Sequence, residues 1–272
     1  MIAALIAAAS TAMWTPSIAP QRLVPDARPA LWVVNDEDTI IYLFGTFHAL
    51  DGRSDWFNDE VMTAFRASDE LVLETIIPEP GMPATTSPPL TGPRMAPVGP
   101  FAGSASFLAT SKTVMSAGRS QGMSIDAGAD TVLRNAAQVS GKPVAGLESF
   151  DYQLSMFSKL PGASRPRTAS SPAAGAVQTK AVAASLLTRL QTAWTNGDTN
   201  SFAAMLDQMQ SKSPETYKLM FLDRNARWAG WIANRLQQPG TVFVAVGAGH
   251  LAGRDSVQVR LADLRIRSQR IN

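Results

Sequence analysis

Short apolar runs gather toward the two ends of the chain, while the middle carries apolar residues at helical spacing. Leu31-Trp32-Val33-Val34 and the run from Thr39 to Phe44 flank a polar turn, Asn35-Asp36-Glu37-Asp38, and predict a β-hairpin. Within 56–67, Trp56, Val61, Ala64 and Phe65 share one helical face, with Ser54 or Asp55 placed to cap it. Residues 70–74 then read as a short buried strand ending in Glu74. Residues 107–140 read as mostly helical, most clearly over 127–139, and Gly141-Lys142-Pro143 stops the pattern before a strand over 143–148. Three helices follow over 181–194, 200–210 and 214–236. Next come a strand over 241–246, a helix over about 254–264 and a final strand.

Two breaker-rich stretches interrupt this order. Residues 78–100 hold eight prolines among Gly, Ser and Thr, and 161–175 are again rich in Pro, Ser and Ala, so both read as flexible connections. Strands at both ends and helices between them predict an α/β or α+β fold, with a central sheet built from the terminal strand units. One domain over 31–272 follows an apolar segment at 1–30.

The chain has two histidines, and each ends the same pattern: Gly45-Thr46-Phe47-His48 and Gly247-Ala248-Gly249-His250. At average glycine usage this coincidence has a chance of about one in two hundred. Both copies follow a β-rich run, and glycine after a strand lets the chain turn sharply enough to set a side chain at the sheet edge. Imidazole is the commonest metal ligand and the usual general base near neutral pH, so the two turns read as two halves of one site.

Composition narrows the chemistry. A net charge of +2 is too small to imply nucleic acid. The absence of cysteine excludes disulfides, thiolate zinc sites and a cysteine nucleophile. Residues 1–12 have the apolar, Ala-rich character of a signal peptide without its basic start, which gives the expectation of a periplasmic or secreted protein. No run of 18 apolar residues suggests a stable membrane span.

Five residues are candidates for chemistry: His48, Glu74, Glu148, Arg224 and His250. Glu74 ends a strand as the histidines do, and ligands of open α/β sheets bind beyond the strands' carboxyl ends. Two imidazoles and a carboxylate suit a divalent ion with open positions, or a division of acid and base roles with Glu74 orienting one ring. Plainer readings exist for each. Glu148 could cap the helix after it, and Arg224 could be an ordinary salt-bridged or exposed residue of its helix.

Beyond these residues, the chain resembles the TraB/GumN family, related to the Tiki metalloproteases and to erythromycin esterase-like and ChaN-like proteins. The resemblance rests on Tyr42-Leu43-Phe44-Gly45-Thr46-Phe47-His48 and on Ser68-Asp69-Glu70-Leu71-Val72-Leu73-Glu74. It continues through Gly141-Lys142-Pro143-Val144 with Gly146-Leu147-Glu148, Arg224-Asn225 with Trp228-Ala229, and Phe243 to Leu251. It implies a divalent-metal-dependent hydrolase, a peptidase on the Tiki pattern, acting on a peptide or small-molecule substrate. In that reading His48 and His250 would hold Mn²⁺, Co²⁺ or Zn²⁺, Glu74 would complete the metal shell or act as the catalytic base for bound water, and Arg224 would stabilise the oxyanion. The alternatives are a metal-independent His/Glu hydrolase and a non-enzymatic protein that binds haem, iron or a peptide.

Overall fold

The hairpin forms where the polar turn predicts it. In the computed structural model, which describes residues 27–78, 89–92, 105–160 and 172–272, β1 (Leu31–Asn35) pairs antiparallel with β2 (Thr39–Thr46). Asp36 accepts at its side chain from the Thr39 amide across 2.9 Å and closes the turn. The signal-peptide reading falls outside the described residues.

The helix α1 (Asp59–Ala67) starts later than the apolar spacing suggests. Asn58 is the cap, accepting from the Val61 amide, while Trp56 lies ahead of the helix and packs into the core. Strand β3 (Glu70–Thr75) follows, then α2 (Ala105–Ser120), α3 (Ala129–Val139), β4 (Val144–Glu148) and α4 (Phe150–Ser158). Gly122, at φ 78°, separates α2 from α3, which divides the single helical stretch read from sequence. The long α5 (Pro172–Thr195) begins inside the second proline-rich stretch, because Pro at a helix start gives up only an amide that has no partner there. The segment 161–171 of that stretch, and most of 78–100, lie outside the described residues.

After α6 (Thr199–Lys212) the chain forms α7 (Pro214–Tyr217), a π-helical turn at Lys218–Leu222, and α8 (Asp223–Arg235). The continuous helix expected over 214–236 is therefore interrupted by a wider turn, a distortion that often marks a functional segment. Strand β5 (Gly240–Gly247), a 3₁₀ turn at Ala248–Leu251, α9 (Val257–Asp263) and β6 (Gln269–Arg270) complete the chain.

The six strands form one mixed sheet in the order β4-β3-β5-β2-β1-β6. From β4 to β2 all pairings are parallel, so these four strands end at the same edge. In β5, Phe243 and Ala245 pack with α1, α3, α5 and α6 on one face. Val242, Val244 and Val246 pack with α8 and α9 on the other. A strand buried on both faces carries a continuous apolar run, which is the pattern at 242–246. Each fully buried Leu, Val or Phe contributes about 1.5–3 kcal/mol, so hydrophobic burial on the two faces sets the sheet's position. Among the described residues, no helix is long and apolar enough to cross a membrane.

Candidate functional site

The parallel pairing of β2 with β5 explains the repeated motif. Thr46 faces Gly247 in register, so adjacent strands run the same way and release their Gly-x-x-His turns at the same edge. A Cβ on Gly45 would lie 3.2 Å from the Ala248 Cα, which shows how closely the two turns pack. Strand β3, on the other side of β5, brings Glu74 to that edge, and β4 brings Glu148.

Gly247 marks the meeting point. A Cβ placed on it would lie 3.4 Å from Glu74 Oε2, 3.4 Å from His48 Nε2 and 3.7 Å from His250 Cδ2. The three residues singled out from sequence therefore surround one small space that glycine leaves open. The Gly247 amide donates to Glu74 Oε2 across 3.1 Å, and His250 Nε2 lies 3.8 Å from the same oxygen.

Arg224 underlies this space. Its Nη2 donates to Glu74 Oε1 at 2.6 Å and lies 2.8 Å from Glu148 Oε2, its Nε donates to Glu148, and its Nη1 donates to the Met220 carbonyl. The remaining Nη1–H faces His250 Nε2 at 3.1 Å. A guanidinium has five N–H donors, and four of them make hydrogen bonds here, with Glu74, Glu148, the Met220 carbonyl and His250. Its side chain is 2% exposed and its charged plane stacks over Trp228 at 4.7 Å. Burial opposes its charge, but Glu74 and Glu148 outweigh that and raise its pKa. Glu148 also meets Arg227 at 3.1 Å, and Arg227 donates to the Tyr152 hydroxyl. The helix cap given as the plainer reading of Glu148 belongs to Ser149, which accepts from the Tyr152 amide.

The hydrogen bonds fix the state of His250. Arg224 can only donate, so His250 Nε2 accepts and the proton sits on Nδ1, which donates to Asn225 Oδ1 across 2.6 Å. Asn225 is oriented in turn by its amide, which donates to the Asp255 carbonyl at 2.7 Å. The ring is buried between Phe221 and Trp228, at centroid distances of 4.8 and 4.4 Å. The π turn sets Phe221 on the ring and Met220 on Arg224. Burial, then the Arg224 charge, pushes the His250 pKa down to about 3, so it is neutral at ordinary pH.

His48 sits in a different environment. Its side chain is 65% exposed and its Nδ1 lies 2.7 Å from Asp130 Oδ2. A carboxylate only accepts, so this Nδ1 also carries a proton. The Asp130 charge raises the His48 pKa to about 9. For Glu74, burial favours the neutral acid, but Arg224 and the nearby rings outweigh it and hold the carboxyl well below the ordinary range. Gln153 donates to Glu74 Oε1 at 2.9 Å.

The donor types are those a divalent ion takes: two rings tethered through Nδ1, His250 with Nε2 3.8 Å from Glu74 and His48 with Nε2 beside Gly247, and one carboxylate oxygen bonded to a backbone amide. Among the described residues, no group of three or more His, Asp or Glu side chains is already gathered as a metal cage. Arg224 occupies the lone pair of His250 Nε2. Sequence reading missed Asp130, Asn225 and Gln153. Asp130 reads as an ordinary acidic residue in a helix's first turn, and only Asn225, beside Arg224 in a matching segment, had a signal.

Four parallel strands that deliver two Gly-x-x-His turns and two glutamates to one edge define an α/β protein with a paired-histidine site. Residues 30–90 and 93–269 match the TraB/PrgY/gumN family, and the chain belongs to that family. Neither a curated protein nor a solved structure matches it.

Proposed function

We propose that this protein is a hydrolase whose site is formed by His48, Glu74 and His250, with peptides as the first substrate class to screen. The observation that carries this reading is the convergence of the three side chains on Gly247, with both rings tethered through Nδ1. His48 Nε2, Glu74 Oε2 and His250 Nε2 would hold a divalent ion, Mn²⁺, Co²⁺ or Zn²⁺. Such an ion supplies a lowered pKa for bound water and charge stabilisation at the attacked carbonyl. Glu74, kept ionised by Arg224, would complete the ion's shell or take the proton of the attacking water. Arg224 directs donors to Glu74, Glu148, Met220 and His250, so in this arrangement it orients Glu74, and the Nη2 hydrogen not bonded to Glu74 would be the one to face an oxyanion.

The contact between Arg224 and His250 favours a second reading. If Arg224 keeps that place during turnover, the site works without metal, with Glu74 as base and the protonated, exposed His48 as acid. One set of measurements separates the two: metal content and affinity after mild chelation and reloading, for wild type and His48→Ala, with turnover on a peptide panel. One ion per chain, lost in the variant, supports the metal reading. Full turnover after exhaustive chelation supports the second, and unchanged turnover in Glu74→Ala overturns both. The expected export and the peptidase activity belong to this proposal, and peptide cleavage by an extracytoplasmic fraction tests them together.

A further inference from the structure

We infer that Asp130 is a positioning residue for His48, holding the ring so that Nε2 faces Gly247 and Glu74. The inference rests on the proposed reading of His48 as a donor to the site. His250 is clamped between Phe221 and Trp228, and there a neutral Asn225 amide is enough to fix the ring. His48 has no such clamp, because 65% of its side chain is exposed. An exposed imidazole keeps one orientation only if a strong bond holds it, and a charge-assisted bond to a carboxylate is about twice as strong as a neutral one.

Asp130 is itself held rigidly for this purpose. Its second oxygen accepts from the Thr46 hydroxyl across 2.7 Å, two residues before His48 on the same turn. The Ala129 amide donates to the Phe47 carbonyl at 3.0 Å, which joins the first turn of α3 to the Gly-x-x-His loop. Gly128 lies so close beneath the loop that a Cβ there would be 2.1 Å from the His48 carbonyl oxygen. Three successive residues of α3's start thus dock on residues 46–48. An acid in a helix's first turn also favours the helix dipole, but that role needs no particular direction for the carboxylate. Here the carboxylate turns back to the loop and bonds two of its side chains.

The test is the contact between the His48 ring protons and Gly247 Hα, read by NMR in the metal-free wild type, Asp130→Asn, Asp130→Ser and Asp130→Ala. Asparagine keeps an oxygen acceptor, whereas serine keeps a helix-start residue too short to reach the ring. The contact is expected in wild type and Asp130→Asn and lost in the serine and alanine variants. Zn²⁺ affinity is expected to fall about ten- to a hundredfold in those two variants, with a smaller loss for asparagine. If the alanine variant does not fold, the serine variant carries the same decision. A ring contact that persists in Asp130→Ser overturns the assignment. A wild type that binds no Zn²⁺, Mn²⁺ or Co²⁺ overturns the metal reading instead, while the ring contact still decides the role of Asp130.

Discussion

Arg224 Nη2 meets Glu74 Oε1 across 2.6 Å, with 2% of the arginine side chain and 13% of the glutamate side chain exposed. A charge pair this deeply buried is costly to half-remove, because the remaining partner loses both water and counter-charge. In this site Arg224 serves two carboxylates, Glu74 and Glu148, and a histidine lone pair.

Arg224→Met is therefore expected to destabilise the protein by about 3–5 kcal/mol, the usual cost of stranding a buried ionic partner. Arg224→Lys should recover only a minor part, since three donors on one nitrogen cannot reproduce a planar fork of five. Urea denaturation of both variants checks this, and a methionine variant within about 1 kcal/mol of wild type would show that the network contributes little.

Gly247→Ala should separate the site from the fold. The backbone at Gly247, φ −51° and ψ 134°, is open to alanine, and the added methyl meets its neighbours at 3.4 Å or more. The methyl would fill the space between His48, Glu74 and His250. Stability is expected to change by no more than about 1 kcal/mol, as for Gly→Ala where the backbone is compatible, while turnover and metal uptake fall steeply. Normal turnover in this variant would sink the idea that the chemistry occurs there.

Gly128→Ala should instead disturb the fold locally, at the loop that carries His48. Its Cβ would lie 2.1 Å from the His48 carbonyl oxygen and 2.9 Å from that of Ile125, both backbone atoms that can yield only by moving the chain. A loss of about 1–3 kcal/mol is expected. Weakened amide protection in the first turn of α3, measured by hydrogen exchange, would localise the effect.

The two histidines should titrate on opposite sides of the ordinary imidazole value. Asp130 raises His48 to about 9, whereas burial and then Arg224 lower His250 to about 3. Against an unfolded value of about 6.5, His48 adds stability that is fully present below that value and is lost as pH rises through about 9. His250 prefers to be neutral when folded, so its contribution is present above about pH 6.5 and is lost as pH falls toward about 3. NMR titration of the metal-free protein resolves both curves, since each single His→Ala variant assigns the other ring. Two curves that both centre near the unperturbed value would contradict these environments.

Several parts of the site were legible in the sequence because their signals are local. The apolar run before each Gly-x-x-His marks a strand, and the glycine marks the turn that releases the histidine. Glu74 shows the same position at a strand end. Repetition added long-range information, since two copies of one strand-turn unit became parallel neighbours in register.

The partners that set the chemistry carry no such mark. His48 and Asp130 are 82 residues apart, Glu74 and Arg224 150 apart, and Glu148 and Arg224 76 apart. Hydrophobic periodicity reports which face of an element is buried, but it is silent on which polar side chain meets which across the sheet. The sequence by itself determined the strands, most of the helical segments, the paired turns and the carboxylate between them, because these follow from backbone preference and apolar spacing. Only the tertiary structure decided that Arg224 is buried among carboxylates, that the two histidines are shifted in opposite directions by their surroundings, and that Asp130 meets His48. Charge state and orientation depend on solvent exclusion and on partners brought together by the whole sheet.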